Sequence, residues 1–325
     1  MYHRFVIFVC LLAFAVILLG AYTRLADAGL GCPDWPGCYG QMTVPASEDH
    51  VLDKAYLEQR ELEPAKGWKE MVHRYFAGTL GLAVLIIAVW SWMRRRRHPE
   101  QAVWLPTFLL ALVIFQAALG MWTVTLLLKP VVVMGHLLGG FATFALLVLL
   151  ALRTAPRKPP ATTGRWRHAA AAALIVLVMQ IALGGWTSSN YAALACLDFP
   201  TCQGSWVPEM DFDEAFVMWR GLGVNYEYGV LEHPARTAIH VTHRIGALVT
   251  FLFLGWLLVG MLRSGSGLAG PALLLGGLLL LQVALGIGNV LLHLPLGVAT
   301  AHNGVAALLL VSLVYLNYRL WRPQH

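Results

Sequence analysis

Long apolar runs alternate with polar connections along the whole chain, and eight of these runs reach the length of a membrane-spanning helix. About 20 apolar residues in helical conformation cross the roughly 30 Å hydrocarbon core of a bilayer. The runs lie at residues 5–23, 70–93, 102–127, 131–152, 168–187, 238–262, 269–292 and 296–318. The first run has the position of a signal peptide, but it has no clear cleavage site and the fifth run mirrors it. The pattern therefore predicts an all-α integral membrane protein with eight transmembrane helices.

The polar connections differ in charge. Basic residues collect at alternate connections and at both ends of the chain, whereas the two long connections, 24–69 and 188–237, are acidic. The basic positions are Arg4, 94–97, Arg153, Arg157, Lys158, Arg165, Arg167, Arg263, Arg319 and Arg322. Because Lys and Arg favour the cytoplasmic side of a membrane, both termini are predicted to be cytoplasmic and both long loops to lie on the outer side.

Composition supports this assignment and excludes several classes of protein. Hydrophobic residues make up 58% of the 325 residues and charged residues only 12%, which is far from the balance of a soluble globular domain. Of the 17 acidic residues, all except Glu100 lie on the predicted outer side. The net charge of +6 thus reflects membrane topology, and no nucleic-acid partner is predicted.

The second half of the chain repeats the first. The segment QAALGMWTVTLLLKPVVVMGH at 116–136 resembles QVALGIGNVLLHLPLGVATAH at 282–302, and MVHR in the first half resembles VTHR in the second. Each copy holds four predicted helices, an even number, so both copies enter the membrane in the same direction. The sequence predicts two tandem, parallel-repeat four-helix bundles, residues 1–160 and 161–325, and disfavours an inverted-repeat transporter.

Each half carries one cysteine pair in its long outer loop. GCPDWPGCYG in the first loop and ACLDFPTCQG in the second share the pattern Cys-x-Asp-aromatic-Pro-x-Cys. Disulfides form outside the cytoplasm, which favours the local pairs Cys32–Cys38 and Cys196–Cys202. A structural staple and a redox role are both open. Zinc is disfavoured, because neither loop completes a tetrahedral set of ligands.

Four histidines lie within the predicted helices, where ionisable residues are costly and usually functional. His73, His136, His243 and His302 each lie just inside the outer end of helix two, four, six or eight. Two imidazoles at equal depth on different helices of one bundle can face each other across its core, as the iron of a bis-histidine heme requires. A lone histidine in a helix is usually a packed, hydrogen-bonded residue. Four at matched depth predict two heme sites, one in each half.

Two arginines directly follow candidate ligands. Arg74 and Arg244 are candidates for pairing with heme propionates, with an interfacial position as the alternative. All four histidines are also predicted near helix N-termini, which favour anions. Small residues beside the ligands would let a flat macrocycle approach the backbone, or would allow ordinary close helix packing. They are Gly135, Gly139, Gly140 and Gly304.

One position breaks the repeat. Glu70 lies three residues before His73, whereas His240 lies three residues before His243. A carboxylate one helical turn from the first histidine pair could act as an acid, a base or a charge stabiliser on a bound tetrapyrrole. It could also orient an imidazole or pair with Arg74 at the interface. The sequence assigns no role to His240.

Together these motifs resemble the heme A synthase family. The matching segments are GAYTRLADAGLGCPDWPGC, EMVHR, LGMWTVTLLLKPVVVMGHLLGG and, in the second half, THR and AHNG, and the resemblance extends over essentially the whole chain. It implies an oxidoreductase that converts the C8 methyl group of heme O to the formyl group of heme A through a hydroxymethyl intermediate. The product serves the assembly of terminal cytochrome oxidases.

The resemblance also implies roles for individual residues. His243 and His302 would ligate a resident heme b, the expected cofactor, in the second half. His73 and His136 would hold the substrate heme in the first half, which is then the catalytic one. Glu70 matches the family's essential glutamate.

The same resemblance bears on the first cysteine pair, on partners and on location. Cys32 and Cys38 match the outer-loop pair that the family links to redox function. Expected partners are heme O, membrane lipid and, among proteins, the farnesyltransferase that makes heme O and cytochrome oxidase assembly factors. The chain begins at its first helix without an Arg- and Ser-rich transit peptide, which favours a bacterial cytoplasmic membrane over a mitochondrial one.

Two other classes of protein are alternatives. A diheme b-type membrane electron carrier also uses histidine pairs across a helical bundle, but such carriers usually place hemes near both membrane faces. Here all predicted ligands lie toward one side. A heme transport or chaperone protein could use the same duplicated pocket.

Overall fold

The computed structural model describes residues 1–96, 102–155, 164–264 and 267–321. Within these ranges, eight helices are long and apolar enough to span a membrane, as predicted. They are α1 (Tyr2–Leu25), α2 (Pro64–Arg95), α3 (Trp104–Thr125), α4 (Pro130–Thr154), α5 (Arg167–Ser189), α6 (His233–Arg263), α7 (Ala269–Leu291) and α8 (Leu296–Leu320). The predicted boundary between the halves at residue 160 lies outside the described residues.

Helices α2 and α6 begin before the apolar runs that predicted them. Helix α2 begins at Pro64 instead of 70, and α6 begins at His233 instead of 238. Their first turns are polar, so hydropathy marks only the point where each helix enters apolar surroundings. Both helices have a proline in their first two positions, where its fixed φ and missing N–H suit a helix start. Each helix therefore extends a polar turn toward its long loop.

The helices of each half pack as a four-helix bundle. In the first half α1 and α3 each pack against α2 and α4, and in the second α5 and α7 each pack against α6 and α8. Between the halves α1 packs on α8, and α4 packs on both α5 and α8. One apolar core runs through both bundles, from Val6 in α1 to Leu316 in α8. The repeated contacts agree with the predicted tandem arrangement.

The long loops contain only short helical segments. The first holds Glu48–His50 and Ala55–Gln59, and the second holds Phe212–Ala215. A further short segment, Gly164–Trp166, precedes α5.

The second long loop reaches across to the first half. Arg60 of the first loop donates two hydrogen bonds of 2.8 Å to the carboxylate of Glu227. The buried ammonium of Lys129, between α3 and α4, donates to the carbonyl of Gly221. Both long loops and the α3–α4 connection therefore lie at the same end of the bundles, as the sequence predicted.

Candidate functional site

The four predicted histidines lie in two pairs, one inside each bundle. His73 on α2 and His136 on α4 have ring centres 6.5 Å apart and ring planes at 89°. In the second half, His243 on α6 and His302 on α8 lie close enough for a charge on one ring to act on the other. The structure thus brings together the same pairs that the repeat predicted.

The histidines lie at different distances from the starts of their helices. His136 and His302 each lie six residues after the first residue of α4 and α8. His73 and His243 lie nine and ten residues after the first residues of α2 and α6. The effect of a helix N-terminus on a nearby charge fades within the first turn. All four histidines therefore lie beyond the first turn, and the expectation that they lie near helix N-termini is wrong; His73 and His243 lie deepest because polar turns lengthen their helices.

Each imidazole packs against a glycine of the preceding helix. The pairs, with the distance from a Cβ atom built on the glycine to the imidazole Cε1, are Gly20–His73 (2.9 Å), Gly120–His136 (3.4 Å), Gly184–His243 (3.2 Å) and Gly286–His302 (3.2 Å). A Cβ on Gly20 would overlap the imidazole of His73, one on Gly184 or Gly286 would crowd the ring, and one on Gly120 would reach contact distance. The sequence analysis missed these four glycines, although three of them end the recurring motif Gln-x-Ala-Leu-Gly.

The first histidine pair fits a bis-histidine heme. A metal–imidazole bond is about 2 Å long, so two imidazoles on opposite sides of one iron have ring centres roughly 6 Å apart. The observed separation of the rings of His73 and His136 is 6.5 Å. Both Nδ1 atoms are buried without a side-chain or backbone partner at hydrogen-bond geometry. The ring separation and the imidazole nitrogens therefore suit two axial ligands of one heme iron.

The pairs are not metal sites by themselves. Among the described residues, no group of three or more His, Cys, Asp or Glu side chains comes together to hold a metal ion. Two nitrogen ligands leave the coordination of an iron ion incomplete, and a porphyrin supplies the four equatorial nitrogens that are missing.

Two of the four predicted small residues serve helix packing. A Cβ on Gly139 would lie 1.7 Å from Gln116 Nε2, and a Cβ on Gly304 would lie 2.8 Å from Leu18 Cδ2. Gly139 thus makes room for a side chain of α3, and Gly304 lets α1 of the first half approach α8 of the second.

The cysteines form the two predicted local disulfides. The S–S distance is 1.99 Å for Cys32–Cys38 and 1.97 Å for Cys196–Cys202. All four cysteines are buried. Because thiol–disulfide exchange requires access to a sulfur atom, burial favours the structural staple, and the redox role stays a prediction.

An aspartate closes each disulfide loop. Asp34 accepts hydrogen bonds from the backbone N–H groups of Tyr39 at 2.6 Å and Gly40 at 3.0 Å. Asp198 accepts the two equivalent bonds in the second loop, at 2.6 and 3.0 Å, and a third of 2.5 Å from the Thr201 hydroxyl. The bond from Thr201 and the backbone N–H groups lower the pKa of Asp198 from 3.8 to about 2.

The lowered pKa of Asp198 predicts that the second disulfide loop loosens in acid. A carboxyl group whose pKa falls on folding stabilises the folded state above its unfolded pKa. This stabilisation is fully present above the unfolded value of 3.8 and is lost as the pH falls through about 2. We expect the protection factors of the Gln203 and Gly204 amides, measured by hydrogen exchange, to fall over this range. In Asp198→Asn they should be low at every pH, and a parent-like pH profile in this variant would contradict the assignment.

Arg74 and Arg244 hold the disulfide loops. Arg74 donates to the carbonyl of Asp34 at 3.0 Å, and Arg244 donates to the carbonyls of Asp198 and Thr201, both at 2.8 Å. The sequence analysis missed this role, because backbone acceptors leave no mark in a pattern of side chains. Pairing of either arginine with a heme propionate stays a prediction. The Nε atom of Arg244 is buried without a partner and remains available as a donor.

Glu70 lies beneath the first disulfide loop. Its carboxylate accepts a 3.0 Å hydrogen bond from the Cys32 backbone N–H and a 2.6 Å bond from Arg74. The ion pair with Arg74, one of the alternatives that the sequence left open, is therefore present. Glu70 thus contacts the disulfide loop from a position one helical turn before His73 on α2.

His240 takes the place of Glu70 in the second half. It is buried, and its Nδ1 donates a 2.9 Å hydrogen bond to the carbonyl of Ala192. Both residues therefore bind the backbone of the loop above them, but only the first half has a carboxylate there.

The comparison with known families agrees with this geometry. Residues 3–314 match the family model COX15-CtaA, described as cytochrome oxidase assembly protein. The chain belongs to this family. The match includes all eight long helices except the ends of α1 and α8, so family membership applies to both halves.

Curated members of the family with similar sequences bear the name heme A synthase. The protein from Shewanella oneidensis is 53% identical over 311 residues, which cover 94% of this chain and 92% of the relative. The protein from Agrobacterium fabrum is 30% identical, covering 91% of this chain and 84% of the relative. The protein from Rhizorhabdus wittichii is 27% identical, with coverages of 99% and 94%. The resemblance found in the sequence motifs is thereby confirmed.

Proposed function

We propose that the chain oxidises the C8 methyl group of heme O to the formyl group of heme A through a hydroxymethyl intermediate. Family membership and the name of the curated relatives support this reaction. The structural observation that carries it is the histidine pair repeated in two bundles, with the rings of His73 and His136 at the separation that a bis-histidine iron needs.

The two halves have different tasks in this proposal. His243 and His302 hold heme b as the resident cofactor, and His73 and His136 hold the substrate heme. Bound by these two imidazoles, heme b would supply one-electron redox chemistry. Between the halves α1 packs on α8, and α4 packs on α5 and α8, which holds the two bundles side by side.

Glu70 is the proposed catalytic residue. Oxidation of a methyl group on the macrocycle develops positive charge and releases protons, and a carboxylate can stabilise the charge or accept a proton. The bonds from the Cys32 N–H and Arg74 fix the position of the carboxylate. The second half has His240 there instead, so a bundle that binds heme does not require this carboxylate.

The uneven distribution of Lys and Arg between the two ends of the helices supports a membrane location and an orientation. We place the protein in a bacterial cytoplasmic membrane with both termini on the cytoplasmic side, because Lys and Arg gather at that end of the helices. The long loops and the histidine pairs then lie toward the outer face. The farnesyltransferase that makes heme O and cytochrome oxidase assembly factors are the proposed protein partners.

Heme extraction tests the proposed function. Hemes are extracted from cells that make heme O, with and without this protein, and are separated by liquid chromatography with mass detection. Heme A should form only when the protein is present. A heme chaperone and a diheme electron carrier would both leave heme O unmodified. Extracts without heme A would therefore refute the proposal.

A further inference from the structure

A cleft lies between α2 and α3 at the end of the bundle opposite the long loops. Its volume is about 390 Å³, within the range of about 300–1,000 Å³ that is usual for small-molecule sites. Ala88 and Arg96, which both line it, are about two turns apart, or about 12 Å along α2 at 1.5 Å per residue. The lining between them is mostly apolar and includes Val89, Trp92 and, from α3, Thr107 and Leu110. The cleft is thus an apolar groove with a basic end.

A tryptophan and a threonine connect the two helices at the cleft. Trp92 Nε1 donates a 3.0 Å hydrogen bond to the hydroxyl group of Thr107. The ring of Trp92 meets the ring of Trp104 edge-on, with ring centres 6.5 Å apart. Both tryptophans are exposed. Because exposed tryptophans gather at the level of the lipid headgroups, this end of the cleft lies at the membrane–water interface.

Arginines concentrate positive charge at the same end of the cleft. Arg96 lines the cleft, and the guanidinium carbon of Arg95 lies 5.9 Å from the ring centre of Trp92. Residues 94–97 are all arginine, whereas Glu100 is the only acidic residue on this side of the predicted topology. The helix dipole adds to this charge, because α3 begins here and the positive end of its dipole points toward the arginines.

The two parts of the cleft favour different parts of one ligand. Arginine side chains bind phosphate groups through paired N–H donors, so the basic end suits a phosphate. The apolar groove that continues from it suits a hydrocarbon chain. A phospholipid with net negative charge has both, and basic pockets between transmembrane helices on the cytoplasmic side are typical sites for such lipids.

The second half of the chain lacks this combination. Positions 264–267, which the repeat aligns with the arginines at 94–97, read Ser-Gly-Ser-Gly. The hydrogen-bonded tryptophan and threonine are replaced there by Leu262 and Leu273. The bundle therefore forms without a basic cleft, which favours a ligand as the reason for the cleft in the first half.

We infer that the cleft between α2 and α3 binds an anionic phospholipid. Its phosphate lies on Arg95 and Arg96, and one acyl chain follows the apolar wall of α2 toward Ala88. In the orientation proposed above, this lipid belongs to the cytoplasmic leaflet. The site is separate from both histidine pairs, so the inference does not depend on the reaction that the chain catalyses.

Native mass spectrometry tests the lipid and its headgroup. The full-length protein in detergent is titrated with phosphatidylglycerol and, separately, with phosphatidylcholine that has the same acyl chains. Phosphatidylglycerol should bind at the lower concentration. The double substitution Arg95→Gln and Arg96→Gln should weaken its binding about 30-fold, since each arginine near a membrane surface contributes about fivefold. Arg153→Gln with Arg263→Gln is the matched control. It removes two exposed arginines from the same end of the helices and should bind the lipid as the parent does.

Filling the groove separates a site in the cleft from attraction to the arginines alone. Val89 is half exposed, so Val89→Phe can fill the groove without disturbing the core, and it should prevent retention of phosphatidylglycerol. Leu85→Phe adds a ring one turn earlier on α2, outside the cleft, and should bind as the parent does. Far-UV circular dichroism checks that each variant keeps its helices.

Three results would overturn the inference. The first is equal binding of phosphatidylglycerol and phosphatidylcholine, because the headgroup charge would then be irrelevant. The second is displacement of the lipid by excess inorganic phosphate, which would indicate a site for free phosphate. The third is parent-like lipid binding in Val89→Phe or in the variant that lacks Arg95 and Arg96, because the cleft would then not be the site.

Discussion

Glu70→Gln is expected to stop most heme A formation while the protein keeps its fold and its resident heme b. The substitution preserves the shape of the side chain and an acceptor for the Cys32 N–H, but it removes the negative charge that pairs with Arg74. A positioned acid or base usually contributes 100- to 10,000-fold to a rate. The rate of heme A formation should fall by about this factor, and heme O or a partly oxidised heme should accumulate.

Two measurements separate catalysis from structure at Glu70. Chromatography of extracted hemes gives the rate of heme A formation, and the reduced-minus-oxidised spectrum of the purified variant reports heme b. Glu63→Gln is a matched control, because Glu63 precedes α2 and forms an ion pair with Lys66 at 2.9 Å. This control should make heme A near the parent rate. If Glu70→Gln formed heme A at the parent rate, the catalytic role would be wrong, and Glu70 would have only a structural role at the disulfide loop.

The apolar runs predicted the membrane helices well because the hydrocarbon core favours apolar side chains along the whole length of a span. The same signal misplaced the starts of α2 and α6, since it ends where the helix leaves apolar surroundings. The first turns there contain Lys66 and Lys69 in α2 and His233 and Arg236 in α6. Proline near the helix start was the better marker of both boundaries.

The histidine pairs could be predicted because the repeat supplies two copies with the same spacing. The contacts around them were harder to predict. Arg74 and Arg244 bind backbone carbonyls, which every residue has, so their side chains alone do not reveal the partner. The glycines that pack on the imidazoles lie in a repeated motif, but their role depends on α3 packing on α4 and α5 packing on α6, which only the structure defines.

His243→Ala and His302→Ala are each expected to remove heme b from the purified protein. These imidazoles lie inside the second bundle, and Gln180 and Gln282 contact them. A six-coordinate low-spin iron needs both axial nitrogens. Losing a ligand should lower the affinity for heme by more than the roughly tenfold that the loss of a hydrogen-bonding partner costs. The heme content per protein and the reduced-minus-oxidised spectrum measure the change.

Variants of the first half make this test specific to the second. His73→Ala and His136→Ala should impair retention of the substrate heme but keep the low-spin spectrum of heme b, because the two pairs lie in different bundles. His168→Ala is a control for histidine loss in general, since His168 is exposed at the start of α5 and packs against Trp321. If His243→Ala and His302→Ala kept the spectrum while a first-half variant lost it, the resident heme would belong to the first half and Glu70 would lie beside the cofactor instead of the substrate.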